Sequence, residues 1–231
     1  MITVKDKLLS AVDKVNALYS QSPVVKGLID GGLSFIPFFG SAIISALDAR
    51  SFEIYEKNSK QFTEESRRLV DNLDEDKIDK EFLKSDEFVS LLTEILTRNA
   101  RTHEQAKVKL FATLFVNAAT YGKSGTPYKE GFVHIIDELS VTHILALAFI
   151  NDTSVTFTEE DKEKNRDYIS ASQVAEELQI SEARSQAYCD QMIRFGLLRD
   201  WSLGRWNYRP HTYALTDYGR ELAVFLKEES Q

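Results

Sequence analysis

The chain has 231 residues, 28 lysines and arginines against 36 aspartates and glutamates, a formal net charge of −8, and one cysteine, Cys189. That length holds one large or two small cores. The acidic balance argues against polyanion binding by the whole surface, and a lone cysteine excludes an internal disulfide or a cysteine zinc cluster.

Apolar spacing and caps mark out mostly helices. Thr3 caps a first helix carrying Val4, Leu8, Val12, Val15 and Leu18, and Ser22-Pro23 starts the next element. The charged, amphipathic start MITVKDKLLS does not read as a signal peptide, so a cytoplasmic location is expected. Between Asp30 and Asp48 lie seventeen uncharged residues, GGLSFIPFFGSAIISAL. A spanning helix needs about 20 apolar residues, and Pro37 lacks the donor that a continuing helix uses. The favoured reading of 31–47 is a buried hairpin of two short helices. Two others stay open. One is a membrane-inserting hairpin that offers Phe35, Phe38 and Phe39 to the lipid interface; the other is a partner or oligomer patch.

From Ala49 to about Val70 the pattern is a charged helix with Phe52, Tyr55, Phe62 and Leu69 inward, followed by the acidic connection NLDEDKIDK. Ser85 caps the next helix, with Asp86 and Glu87 in its first turn and an apolar stripe of Phe88, Leu91, Leu92, Ile95 and Leu96. Val108, Phe111, Leu114, Phe115 and Ala118 mark another. Residues 121–127, YGKSGTP, are the clearest loop and the expected domain boundary. Phe132, Ile135, Ile136 and Leu139 then mark a helix, and Ser140 caps a further one, VTHILALAFI. SVTFT, at 154–158, reads as a short strand that pairs with a later hairpin. The charged run at 159–167 reads as a solvated insertion.

The stretch from Ile169 to Leu226 points to an activity. Ser170 and Gln173 form a capping box, and Ser181 caps a second helix that stops at Gly196. Leu197–Trp201 and Tyr208–Leu215 read as a β-hairpin with Gly204 in its loop, Pro210 demoting the second strand to an edge. Thr216 caps the last helix. This order is that of a winged helix-turn-helix. The first residues of its second helix, Arg184 and Gln186 among them, would face the major groove. The hairpin crowds Arg199, Arg205, Trp206, Tyr208, Arg209 and His211, a phosphate or minor-groove contact. From Ile169 to Glu229, seven lysines and arginines meet nine acids, so the domain is not basic overall.

No catalytic or metal site is expected. His103, His134, His143 and His211 stand in no metal-ligand pattern, and no nucleophile, base and orienting group come together. No cofactor is expected.

A wider resemblance rests on short words: THEQAKVKLFATLFVNAA, then YKEGFVHIIDELSVTHILALAFI, then the FGLLRD…YALTDYGREL ending. Over about residues 102–226 the chain resembles the Abi-alpha abortive-infection family and related bacterial domains. The resemblance implies a prokaryotic, phage-defence setting with no enzymatic activity and no catalytic residues to carry over. The expected fold is therefore mainly α: a helical domain over 1–122, then a winged-helix domain over 128–231 with a polar insertion at 151–168. The expected function is a non-enzymatic DNA- or protein-binding module. A membrane-acting effector using 31–47 and a purely structural or oligomerisation protein are the alternatives. Candidate partners are DNA, another protein and a second copy of the chain, with membrane contact ranked below them.

Overall fold

The computed structural model describes residues 49–163, 168–202 and 209–227. The expected first helix and the 31–47 run with Phe35, Phe38 and Phe39 lie outside the described residues, as do Arg205, Trp206 and Tyr208 of the hairpin. The described residues are mainly helical, with nine α-helices and one three-stranded antiparallel sheet. They divide into two compact units, one up to Asp137 and the other Glu138–Lys227.

The first unit is built on α1 (Ala49–Asp71), α2 (Asp86–Asn99), α3 (Gln105–Ala118) and α4 (Lys129–Glu138). Helix α3 packs against α1 and α2. All residues from Phe111 to Thr120 are buried, which is why its sequence shows little amphipathic contrast: such a helix has no solvated face. Phe115 is the hinge of the packing. Its ring lies 5.7 Å from Phe62 on α1 and 5.8 Å from Phe88 on α2. Each such buried ring contributes roughly 1.5–3 kcal/mol.

Ser85 caps α2 as expected, accepting the Phe88 N–H, and the whole Phe88–Leu96 stripe is buried. Tyr55, Phe62 and Leu69 of α1 also point inward. The same face carries Asn58, Ser59 and Ser66, all buried, which polarity alone assigns to solvent. Asn58 explains itself. Its Nδ2 donates to the carbonyls of Asn99 and Thr102, both at 2.8 Å, and its Oδ1 accepts from Gln105 Nε2 at 2.9 Å. The Asn99 carbonyl is one of those that the end of α2 leaves without an intrahelical partner, so Asn58 works as a cap supplied from another helix.

The 121–127 loop is fastened into this unit. Asp79 accepts from Ser124 Oγ at 2.6 Å and from the backbone N–H groups of Phe82 and Glu81, and these bonds hold its carboxyl below the usual range. The buried Lys129 ammonium donates to the Ser124 and Thr126 carbonyls, meets Glu87 at 2.7 Å and lies over the Phe82 ring. The division between the units accordingly falls after Asp137 rather than in this loop.

The second unit runs α5 (Val141–Ser154), α6 (Glu159–Glu163), β1 (Ile169–Ser170), α7 (Ala171–Leu178), α8 (Glu182–Arg194), β2 (Leu198–Asp200), β3 (Thr212–Leu215) and α9 (Asp217–Phe225). Helix α5 packs against α7, α8, α9 and β3. The expected caps are in place at Ser170 with Gln173, at Ser181 and at Thr216. Two expectations are corrected. Residues 154–158 are a helix end and turn, and the added strand is β1, paired with β3 at Ile169↔Tyr213 and Ser170↔Thr212. The strand after Pro210 is not an edge, because the sheet order is β1-β3-β2. Pro210 lies in the turn before β3, so its missing N–H takes nothing from the ladder.

Gly196 ends α8 at φ 72°, with its own N–H on the Ile193 carbonyl and the Leu197 N–H on Met192. That pair of bonds is the Schellman closure that favours glycine. The Leu197 carbonyl then accepts the Thr216 N–H at 3.1 Å, and Thr216 Oγ1 lies 3.0 Å from it. Gly219 sits directly above: a Cβ there would fall 2.1 Å from the Leu197 oxygen.

Two outcomes follow for stability. Asn58→Leu, which improves the apolar stripe on paper, should lower unfolding stability by about 1–3 kcal/mol by stranding buried carbonyls; an unchanged urea midpoint would contradict the cap. Gly219→Ala should cost about 3 kcal/mol or more through backbone overlap, read as a lowered melting temperature, whereas Gly125→Ala, with open space around it, should change little.

Candidate functional site

The candidate residues that the structure describes all lie in the second unit. Arg184 is exposed in the first turn of α8. Gln186 follows it, its Nε2 3.5 Å from Glu182 Oε1. Arg199 is the exposed middle residue of β2 and stands opposite Ala214 on β3. Arg209 and His211 are exposed ahead of β3. The His211 carbonyl accepts the Ala171 N–H at 2.9 Å, which ties the start of α7 to the sheet.

Arg209 is held by a residue that spacing could not reveal. Its Nη1 donates to the Tyr168 hydroxyl, and its guanidinium carbon lies 5.3 Å from the Tyr168 ring centre. The Tyr168 ring in turn packs 4.7 Å from Trp201, itself 1% exposed. Buried indole, phenol and guanidinium thus form one stack. Forty-one residues separate Tyr168 from Arg209, so no local pattern could announce it.

Both units carry paired and open cations. In the first, Arg98 pairs with Glu94 and Asp137, Lys129 with Glu87, and Lys107 donates to the Asp137 carbonyl at 2.7 Å. In the second, Arg184, Arg194, Arg199 and Arg209 pair with no carboxylate among the described residues. The helix pair also carries exposed acids, Glu176 and Glu177 on α7 and Glu182 and Asp190 on α8.

The other face of α8 is anchored inside the unit. The Ser140 N–H donates to His143 Nδ1 at 3.2 Å, which makes Nδ1 an acceptor and leaves the hydrogen on Nε2. His143 Nε2 then donates to Gln191 Oε1 at 3.0 Å, and its ring packs 4.2 Å from Tyr188. This buried histidine is structural. Beside it, Ala187, Asp190, Gln191, Arg194 and Phe195 line an open cleft of about 640 Å³. The Tyr213 hydroxyl donates to Asp190 at 3.3 Å. Burial first, then Cys189 and Asp190, push the Tyr213 phenol up.

Among the described residues no three of His, Cys, Asp and Glu gather closely enough to hold a metal ion. None of the described helices is long and apolar enough to cross a membrane. Compared with protein-family models, with curated proteins and with solved structures, the chain finds no match.

Cys189 is buried, and desolvation, with the charge of Asp190 adding to it, pushes its thiol up to about 12. The neutral thiol is therefore the folded form. Its contribution to stability is full below the ordinary thiol value of 9 and is lost as pH rises from there to about 12. At a pH of about 8, below that range, a water-soluble thiol reagent should leave native Cys189 unmodified and label it in denaturant; fast stoichiometric labelling of the native chain would refute the buried setting.

Proposed function

We propose that the second unit is a winged helix that acts as a non-enzymatic binding module for duplex DNA. The order of its elements supports this reading: α5, α6, β1, α7, α8, β2, β3 and α9, with the tight α7–α8 connection. The observation that carries it is the set of exposed arginines without carboxylate partners among the described residues. A guanidinium kept open to solvent has its donors free for phosphate oxygens. Five arginines among the described residues of the unit do not make a basic domain, so affinity is modest and depends on where they stand.

The biological setting, a regulatory or phage-defence role in a bacterial cytoplasm, is proposed from the resemblance over 102–226 alone. A second reading, in which a basic protein docks on the module, draws on Glu176, Glu177 and Glu182, which crowd the helix pair.

Fluorescence anisotropy of the full chain against a duplex of about 20 base pairs tests the DNA reading. A footprint of about three phosphates should weaken binding roughly forty-fold between about 50 and 200 mM salt. Absence of salt-sensitive binding to any duplex would remove it.

A further inference from the structure

Three exposed arginines of the second unit, Arg184, Arg199 and Arg209, have different surroundings. Arg184 stands on the helix pair, where Glu176, Glu177 and Glu182 are all exposed. Gln186, the other residue placed to read bases, lies against Glu182. Exposed carboxylates on both helices of this pair oppose the phosphates that flank a major groove.

The sheet differs. The register places Arg199 opposite Ala214, whose methyl offers the guanidinium nothing to pair with. Asp200, its chain neighbour, alternates to the other face opposite Tyr213. Its Oδ1 accepts from Ser202 N and Oγ, both at 2.8 Å. Trp201 returns to the Arg199 face by the same alternation, and there it carries Tyr168 and Arg209 in the stack. One Arg209 donor is used on the Tyr168 hydroxyl. A guanidinium has further N–H groups along its edge, and stacking leaves that edge open. Preorganisation by the stack removes part of the side-chain entropy cost of binding. His211 is exposed on the same approach to β3.

We propose that duplex DNA lies against this outer face of the sheet. Arg199 and Arg209 take its phosphates, and the contact reads backbone rather than base edges. The inference rests on the DNA reading above and turns the expected roles around: the sheet is the primary contact and the second helix of the pair is secondary. The chain then binds duplexes of unrelated sequence with similar affinity, because phosphate contacts carry no base information.

The test is salt-dependent anisotropy of the full chain on two duplexes of about 20 base pairs and unrelated sequence. Arg199→Ala/Arg209→Ala should lower affinity at least about tenfold more than Arg184→Ala/Gln186→Ala does. It should also flatten the salt slope by about 2, one for each phosphate that is no longer neutralised. Arg199→Lys/Arg209→Lys keeps the charge and should recover most of the slope, which a general unfolding would not allow. Tyr168→Phe keeps the ring, removes the hydroxyl that holds Arg209, and should fall between the wild type and Arg209→Ala. If the duplexes bind and the helix pair of substitutions is the more damaging, or if one duplex is preferred about a hundredfold, the sheet-face contact is wrong and the DNA reading survives. If neither duplex binds with salt dependence, both fall together.

Discussion

The second unit hangs on the carbonyl of Leu197. It is where the end of α8 meets the start of α9: the Thr216 N–H donates to it, the Thr216 hydroxyl lies against it, and Gly219 comes so close that no side chain fits. That oxygen also fixes where β2 begins, since Leu198 is the next residue and pairs with Leu215, the residue before Thr216. Register and helix capping are thus set at one point. The words FGLL and LTDYG, from the ending quoted above, are the two sides of this contact. Gly196 provides the left-handed turn, Thr216 the cap, and Gly219 the absence of a Cβ.

From that junction the sheet inherits its geometry. With Leu198 fixed against Leu215, alternation puts Arg199 on the outer face and Asp200 on the other. A slip of one residue would exchange them and put a carboxylate beside the Arg209–Tyr168–Trp201 stack. The proposed contact surface depends on backbone bonding that involves no charged residue at all. The first unit uses its cations otherwise: Lys129 and Lys107 are drawn into the interior to satisfy carbonyls at a loop and a helix end, where an unpaired ammonium would be costly.

Much of this is legible in the chain. Helices with strong caps and clean apolar stripes, such as α2 behind Ser85 and α7 behind Ser170, are written locally, because each signal lies within a turn or two of what it specifies. The strand partner is not legible. Ile169–Ser170 is too short to show alternation, whereas SVTFT shows it and is helix end and turn; pairing is decided by what β3 leaves open, not by local propensity. Pro210 misleads for a related reason, since the proline rule concerns residues inside the ladder and β3 starts after it. Asn58 and Ser66 read as solvated because polarity, taken without a partner, points outward. Of the candidate contact residues, Arg199 and Arg209 can be named from composition. Tyr168, which orients Arg209, cannot, since the link spans four elements of the unit. The Arg184–Gln186 pair is marked by position in the chain, and only the exposed acids of α7 and α8, seen together, set it apart from the sheet.

Amide hydrogen exchange on the full chain, with and without a duplex of about 20 base pairs at low salt, tests the central claim most directly. The account predicts slowed exchange at 168–170, 198–202 and 209–215, with smaller change across 182–187 and none across the first unit. Protection concentrated at the start of α8, or confined to residues before Asp137, would contradict it.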